Sequence, residues 1–267
     1  MIKLIASDID GTLVPDGSGE INAEIYDVIR KLREKGVVFT AASGRQFSSI
    51  EHLFHPIAKE IYYITDGGAV LRDYDTIYSV STIDTDMARE MAEEIIAIPE
   101  CEVTLCGEKF TYVLDKETEM AHWLSDSYHF KVREIASIYE TPEDDPLIKV
   151  SLYHKTAAEE KAAPHFIPKW QDKLQMSCAG VMWIDCIHKH ASKGAKLKEL
   201  QKKLGITPEE TMVFGDNIND LEMMESAGYS VAIGNARPEV KAKANFIADR
   251  NVNDGVLKVL KKLLLTL

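Results

Sequence analysis

The chain has 267 residues, 45% of them hydrophobic, and 43 acidic against 31 basic side chains give a net charge of −12. That length suits one large domain or two modest ones, and that apolar content can build a packed core. No run approaches the roughly 18 apolar residues of a membrane span, and the acidity argues against a nucleic-acid backbone, so neither membrane nor nucleic acid is an expected partner.

An anionic substrate would need a local cationic site or a bound metal to offset the general repulsion. Asp8 follows the short run Met1–Ile5 almost at once, and no signal peptide is read there. Cys101, Cys106, Cys178 and Cys186 form no Cys-x-x-Cys pair. Neither disulfides nor a zinc site is expected, and a reducing cytoplasm fits.

In chain order, the apolar run from Lys3 ends at Asp8-Ile9-Asp10-Gly11, the pattern of a buried parallel strand. Ile21, Ile25, Val28, Ile29 and Leu32 have helical spacing over 21–35, stopped by Gly36. A strand is predicted at 37–42, closed by Ser43-Gly44-Arg45. A helix over 46–58 and a strand at 61–65 continue the alternation, and Gly67-Gly68 opens a hairpin reaching Val80. The segment 82–184 reads differently. It has helical patterns at 84–98 and 115–127, and a third at 156–173 interrupted by Pro164 and Pro168. Strand-like pieces lie at 102–106, 110–114, 147–153 and 174–187. Thereafter a helix from Lys193 to Gly205, a strand at 211–214 and a helix at 219–227 resume the first pattern. A strand at 229–233, a short helix at 238–243, a strand at 246–248 and a helix at 253–265 follow. Strand alternating with helix gives a parallel sheet covered on both faces. The expected fold is α/β: a Rossmann-like core from 1–81 and 185–267, with an α+β insert over 82–184.

Four clusters stand where predicted strands end or helices begin, the edge at which open α/β sheets bind ligands. In Asp8-Ile9-Asp10-Gly11-Thr12, residues two apart on a strand share a face. Such paired carboxylates repel unless a cation lies between them, and carboxylate oxygens suit Mg2+. One could attack phosphorus while the other moves protons. Ser43-Gly44-Arg45 offers a hydroxyl and free backbone N–H groups at a helix start, an anion site. Lys193, in Ser192-Lys193-Gly194, is a cation at the positive end of a helix dipole, which is unfavourable unless an anion is near. Gly215-Asp216-Asn217-Ile218-Asn219-Asp220 brings two more acids and two amides. Each cluster alone also fits a polar turn, a helix cap or a solvated lysine. Four complementary clusters on one sheet edge fit a single site better.

These residues resemble the haloacid dehalogenase-like superfamily, within it the Cof-type sugar-phosphatase branch with a large cap between the second and third motifs. The resemblance rests on Asp8-x-Asp10-Gly-Thr-Leu followed by Gly-Asp216-x-x-Asn219-Asp220, with Ser-Lys193-Gly between. It implies that Asp8 is the nucleophile and Asp10 the general acid/base, whose backbone carbonyl also ligates the metal. It implies that Ser43 and Lys193 hold the transferring phosphoryl group and that Asp216 completes the protein ligands of Mg2+. Asn219 would contact phosphate, Asp220 would orient the metal's waters or Lys193, and Arg45 would reach substrate. The insert would be a mobile cap that sets specificity. Departures are Ser43 in place of a commoner threonine, Asp66 in place of asparagine, His188 and His190 in place of proline and glycine, and Ile184-Asp185 in place of Leu-Glu.

The expected activity is Mg2+-dependent hydrolysis of a small phosphorylated metabolite, best a sugar phosphate, by a monomer or weak homodimer. A phosphomutase of phosphomannomutase type would use the same nucleophile. It should need a basic cap, and the lysines and arginines of 82–184 show no Arg pair that looks like a second phosphate clamp. A non-catalytic ligand sensor on the same fold is the third reading.

Overall fold

The run Leu4–Ser7 forms a strand with all four residues buried, as a parallel strand covered on both faces must be. The computed structural model of the chain describes residues 1–267. Its elements run β1 (Leu4–Ser7), α1 (Glu24–Glu34), β2 (Val38–Ala42), α2 (Phe47–Leu53), β3 (Tyr62–Thr65), β4 (Val70–Arg72) and β5 (Ile77–Val80). Then come α3 (Thr85–Ile96), β6 (Cys101–Gly107), β7 (Thr111–Val113), α4 (Glu119–His122), β8 (Val132–Glu134), β9 (Leu147–His154), α5 (Ala163–Trp170), β10 (Leu174–Ala179) and β11 (Trp183–His188). Last come α6 (Lys193–Leu204), β12 (Thr211–Gly215), α7 (Leu221–Glu225), β13 (Tyr229–Ala232), α8 (Pro238–Lys243), β14 (Phe246–Ile247) and α9 (Gly255–Thr266).

The chain divides into two compact units, one of 1–43, 50–79 and 192–267, the other of 44–49 and 80–191. The first holds an eight-stranded sheet ordered β14-β13-β12-β1-β2-β3-β4-β5. The six strands from β14 to β3 run parallel, and β4 turns back antiparallel on β3. The α/β class follows directly from this sheet. In α1 the helical spacing seen in the sequence buries Ile25, Val28, Ile29 and Leu32. Each such burial stabilises by about 1.5–3 kcal/mol.

The second unit holds a six-stranded sheet ordered β10-β11-β9-β6-β7-β8. It is antiparallel except for the β7–β8 pair. Met91 and Ile95 of α3 and Phe166 and Trp170 of α5 share one core with Val150, Leu152 and Ile184 of this sheet. Residues Gly44–Ser49 belong to this unit too. Lys149 Nζ donates to the Gly44 carbonyl at 2.7 Å and the Lys131 amide to Gln46 Oε1 at 2.9 Å. The Arg45 guanidinium lies 4.4 Å from the Tyr128 ring centroid.

Several local expectations differ. The piece 174–187 is a hairpin, β10 against β11 in register from Leu174↔His188 to Ala179↔Trp183, turning at Gly180 with φ 68°, a backbone region that favours glycine. The expected core boundary at 185 falls inside β11, whose neighbours β9 and β10 both lie in the second sheet. β8 has no counterpart in the sequence reading. The helix expected from 115 begins at Glu119, where the Thr118 hydroxyl accepts from the Ala121 amide, a cap that fixes its start. Pro164 sits in the first turn of α5, where a missing N–H costs nothing.

Candidate active site

Asp8 sits where the sheet's direction of growth reverses. The chain runs from β1 outward through β2 and β3, then returns to β1's other side with β12 and continues to β13 and β14. Such a switch point opens a crevice at the carboxyl ends of the strands. Parallel pairing of β12, β1 and β2 sets Ser7 beside both Phe214 and Ala41. Asp216, Asp8 and Ser43 therefore leave three adjacent strands at one edge. The Asp8 amide donates to the Phe214 carbonyl at 3.0 Å, and the Ser43 amide to the Ile64 carbonyl at 2.9 Å.

Lys193 enters from α6. The Ser192 hydroxyl caps that helix, accepting from the Ala195 amide at 2.9 Å, and itself donates to Glu222. Gly68, at φ +104°, lies so near the Ser192 carbonyl carbon and the Lys193 nitrogen that a Cβ there would collide with both. That close approach is why glycine occupies the position. The Lys193 ammonium, buried, donates to Asp8 Oδ1 at 2.7 Å and to Asp220 Oδ1 at 2.7 Å. Asp220 Oδ2 accepts from the Asp216 and Asn217 amides at 2.9 and 3.1 Å. Thr12 Oγ1 donates to Asp216 Oδ1 at 2.5 Å.

Ligand oxygens of Asp8, Asp216 and Asp220 lie within 4.8 Å of one another. The carboxylate of Asp10 is not among these three; the loop that carries it is held by a bridge between Asp10 and Val14. Asn219 Oδ1 is buried without a hydrogen-bond partner. Gly44 and Arg45 group with the second unit, as described above, whereas Ser43 belongs to the first. Asp66 is buried at φ +51°, with Thr65 Oγ1 donating to its Oδ2 at 2.9 Å. The His190 amide donates to His188 Nδ1 at 3.2 Å; both histidines lie in the second unit.

A haloacid dehalogenase-like hydrolase family profile matches residues 5–260. The chain belongs to this family. A relative from Escherichia coli strain K12, 5-amino-6-(5-phospho-D-ribitylamino)uracil phosphatase, is 29% identical over 98% of this chain and 96% of its own. A crystal structure of a protein from Eubacterium rectale is 41% identical, with a TM-score of 0.86, covering 98% of this chain and 99% of that one. A sugar phosphatase of haloacid dehalogenase subclass IIB is 25% identical, with a TM-score of 0.83, covering 98% of each chain. The family read from the motifs is thus the family found, and the protein is an enzyme of the hydrolase class. No helix of it is long and apolar enough to cross a membrane.

In this haloacid dehalogenase-like hydrolase three carboxylates meet one ammonium. Burial pushes the Asp8 carboxyl well up, the Asp220 charge adds to the rise, and Lys193 opposes it. Burial and then the Asp220 charge push Asp216 up to about 7, against the Thr12 hydrogen bond. For Lys193 burial alone would lower the ammonium's value, but the charges of Asp220 and Asp8 hold it above its ordinary one. Lys193 is therefore a fixed cation, and one ammonium is too little to let all three acids ionise without a further cation. Asp220 has both oxygens engaged, one by Lys193 and one by backbone amides. Asp8 keeps Oδ2 and Asp216 keeps Oδ2 for a further partner. Hard oxygen donors with uncompensated negative charge fit Mg2+.

A pH dependence follows. Burial and the Asp220 charge push the Asp216 carboxyl in the folded protein up to about 7, against about 4 for an unfolded carboxyl. A raised folded value gives stability that is complete below about 4 and is lost as pH rises through 7. Metal-free enzyme should therefore lose Tm across that window. Mg2+ favours the ionised form, so the Tm gain on adding Mg2+ should grow from pH 5 to pH 8. Thermal scans in chelator and in Mg2+ measure this. A gain that stays constant with pH would show that the carboxylates do not face the metal.

Proposed function

We propose that this hydrolase removes phosphate from small phosphate monoesters, sugar phosphates first among them, through a phosphoryl group carried on Asp8. The observation that carries the reading is the buried contact of Lys193 with both Asp8 and Asp220, beside an Asp216 whose proton affinity is raised. A lysine pinned by two carboxylates holds one oxygen of Asp8 and leaves the other, Oδ2, to attack.

In the proposed reaction Asp8 Oδ2 forms a bond to phosphorus while the bond to the leaving oxygen breaks, and Asp10 gives that oxygen its proton. Asp10 then takes a proton from water as the water oxygen attacks phosphorus. The bond to Asp8 breaks and inorganic phosphate leaves. Asp8, Asp216 and the Asp10 backbone carbonyl would hold Mg2+, which supplies positive charge against the phosphoryl oxygens. Lys193 and Ser43 stabilise the same charge, Asn219 offers its amide to phosphate, and Asp220 orients Lys193. The first unit, 1–43, 50–79 and 192–267, does the chemistry. The second unit, with Gly44 and Arg45 among its residues, recognises the leaving group. The named activities of the relatives, a phosphatase of a ribitylaminouracil phosphate and a sugar phosphatase, support a small metabolite as substrate.

The test is a phosphate-release screen over a panel of phosphorylated metabolites. Release should require Mg2+, stop in excess chelator, resume when Mg2+ is restored and need no bisphosphate activator. Full activity in chelator would refute the proposed metal role. A requirement for a bisphosphate activator would favour the mutase.

A further inference from the structure

Two asparagines from the loops after β13 and β14 converge on one backbone oxygen. Asn235 Nδ2 donates to the Gly11 carbonyl at 2.7 Å, and Asn251 Nδ2 donates to the same oxygen at 3.0 Å. Asn251 Nδ2 also reaches the Val14 carbonyl at 3.4 Å. The orientation of the Asn235 amide is fixed by its network, because its Oδ1 accepts from the Asn251 backbone amide at 3.0 Å. Neither amide can flip without losing an acceptor.

Gly11 stands between Asp10 and Thr12, at φ +80°, and a Cβ there would run into the Asp216 carboxylate. Its own amide donates to the Val14 carbonyl at 2.8 Å. Two residues beyond Asn235, the Arg237 amide donates to the Asp216 carbonyl at 2.9 Å. The short segment 235–237 is therefore tied at one end to the loop that follows Asp8 and at the other to Asp216. It spans the two loops whose carboxylates converge in the acidic cluster.

We infer that Asn235 and Asn251 are positioning residues that fix the Asp8–Thr12 loop relative to Asp216, and with it the spacing of the oxygens offered to a divalent cation. This rests on the function proposed above. Neither asparagine touches the cluster's oxygens. They act through Gly11, whose neighbours on both sides contribute to the site. A small shift matters because Mg2+ demands near-ideal octahedral geometry. Groups that orient metal ligands from outside typically carry about 10–100-fold in metal affinity or activity. A purely structural role would instead staple two surface loops together and show only in stability.

The experiment uses the full chain stripped of metal. Mg2+ is titrated by calorimetry into wild type, Asn235→Ala and Asn251→Ala, and steady-state kinetics are measured on the best ester of the panel. Each single variant keeps one of the two donors on Gly11, so the loop retains a tether. The expected result is Mg2+ affinity and kcat each lowered about tenfold or more, with KM for the ester unchanged, and a larger loss in the double variant. If Asn235→Ala does not fold, Asn251→Ala carries the same readouts. A lowered Tm with wild-type Mg2+ affinity and wild-type kcat in the folded protein overturns the inference. Wild-type protein that binds no Mg2+ and releases no phosphate overturns the functional reading beneath it as well.

Discussion

Asp8→Asn should fold and lose turnover by at least about a thousandfold, roughly 4 kcal/mol of transition-state stabilisation. The amide is the same shape as the carboxylate, but its nitrogen and oxygen are poor nucleophiles toward phosphorus, and it lacks the charge that would balance a metal. Its stability should change in the direction opposite to its activity. The wild-type carboxyl is pushed up chiefly by burial and by Asp220, so its ionised form is unfavourable in the metal-free protein. Removing the charge therefore removes a penalty. Lys193 keeps Asp220 as partner at 2.7 Å. In chelator near neutral pH, Asp8→Asn should have a Tm equal to or above wild type. An inactive variant with a much lower Tm would mean only that the fold had been damaged. Retention of more than about a tenth of the turnover would remove Asp8 from the role of nucleophile.

Lys193→Met should have the second largest effect, and on both counts at once. The wild-type ammonium is almost fully buried between two carboxylates. Taking away one partner of a buried ionic group strands the others, at a cost of roughly 3–5 kcal/mol. Methionine keeps most of the volume, so the loss reports charge and not a cavity. Turnover should fall about 100–1000-fold on every substrate alike, because the charge stabilised is common to all phosphoryl transfers. The two effects separate in a second variant. Adding Asp220→Asn to Lys193→Met removes a stranded charge and should return much of the Tm, while kcat stays low. If the double variant regained turnover, or if Lys193→Met changed the order of substrate preference, Lys193 would be a specificity residue rather than the common cation.

The sheet was legible because its strands are short apolar runs punctuated by glycine and acid, and its helices carry the 3.6-residue period. β1 and α1 are clear examples. The acidic cluster was legible in part. The two-residue spacing of Asp8-x-Asp10 was read as aiming both carboxylates into one site; the cluster holds Asp8 without the Asp10 carboxylate, and the partners that close round Asp8 are Asp216 and Asp220. Asp220 lies four residues beyond Asp216 and returns to it through a turn, folding its carboxylate back onto the Asp216 and Asn217 amides. That return is a capping box from Asn217 to Asp220, a helix-start signal rather than a strand or helix period.

Most of what escaped the sequence reading acts through backbone. Gly68 matters for the room it leaves beside Ser192, Asn235 and Asn251 for one carbonyl, and Glu222 for the hydroxyl that caps α6. Each is an ordinary loop or helix residue until the chain is folded. A Gly-Asn pair closing a parallel strand, as at Gly234-Asn235, was the available signal. The end of the insert was misplaced for another reason: a strand was read at 174–187 within it, but the core boundary was drawn at 185, inside β11. Its run Trp183–His188 is as apolar as a core strand, and only its antiparallel pairing with β9 and β10 assigns it to the second sheet.

The central claim is that the phosphoryl group rests on Asp8. The most direct measurement is a rapid acid quench during turnover with saturating ester and Mg2+, followed by peptide mass spectrometry. An acyl phosphate survives best in acid, and the peptide spanning Asp8 should carry the mass of one phosphoryl group, absent from enzyme without substrate and from Asp8→Asn. A phosphoryl group found on another residue, or turnover with no phosphorylated enzyme at any quench time, would contradict it.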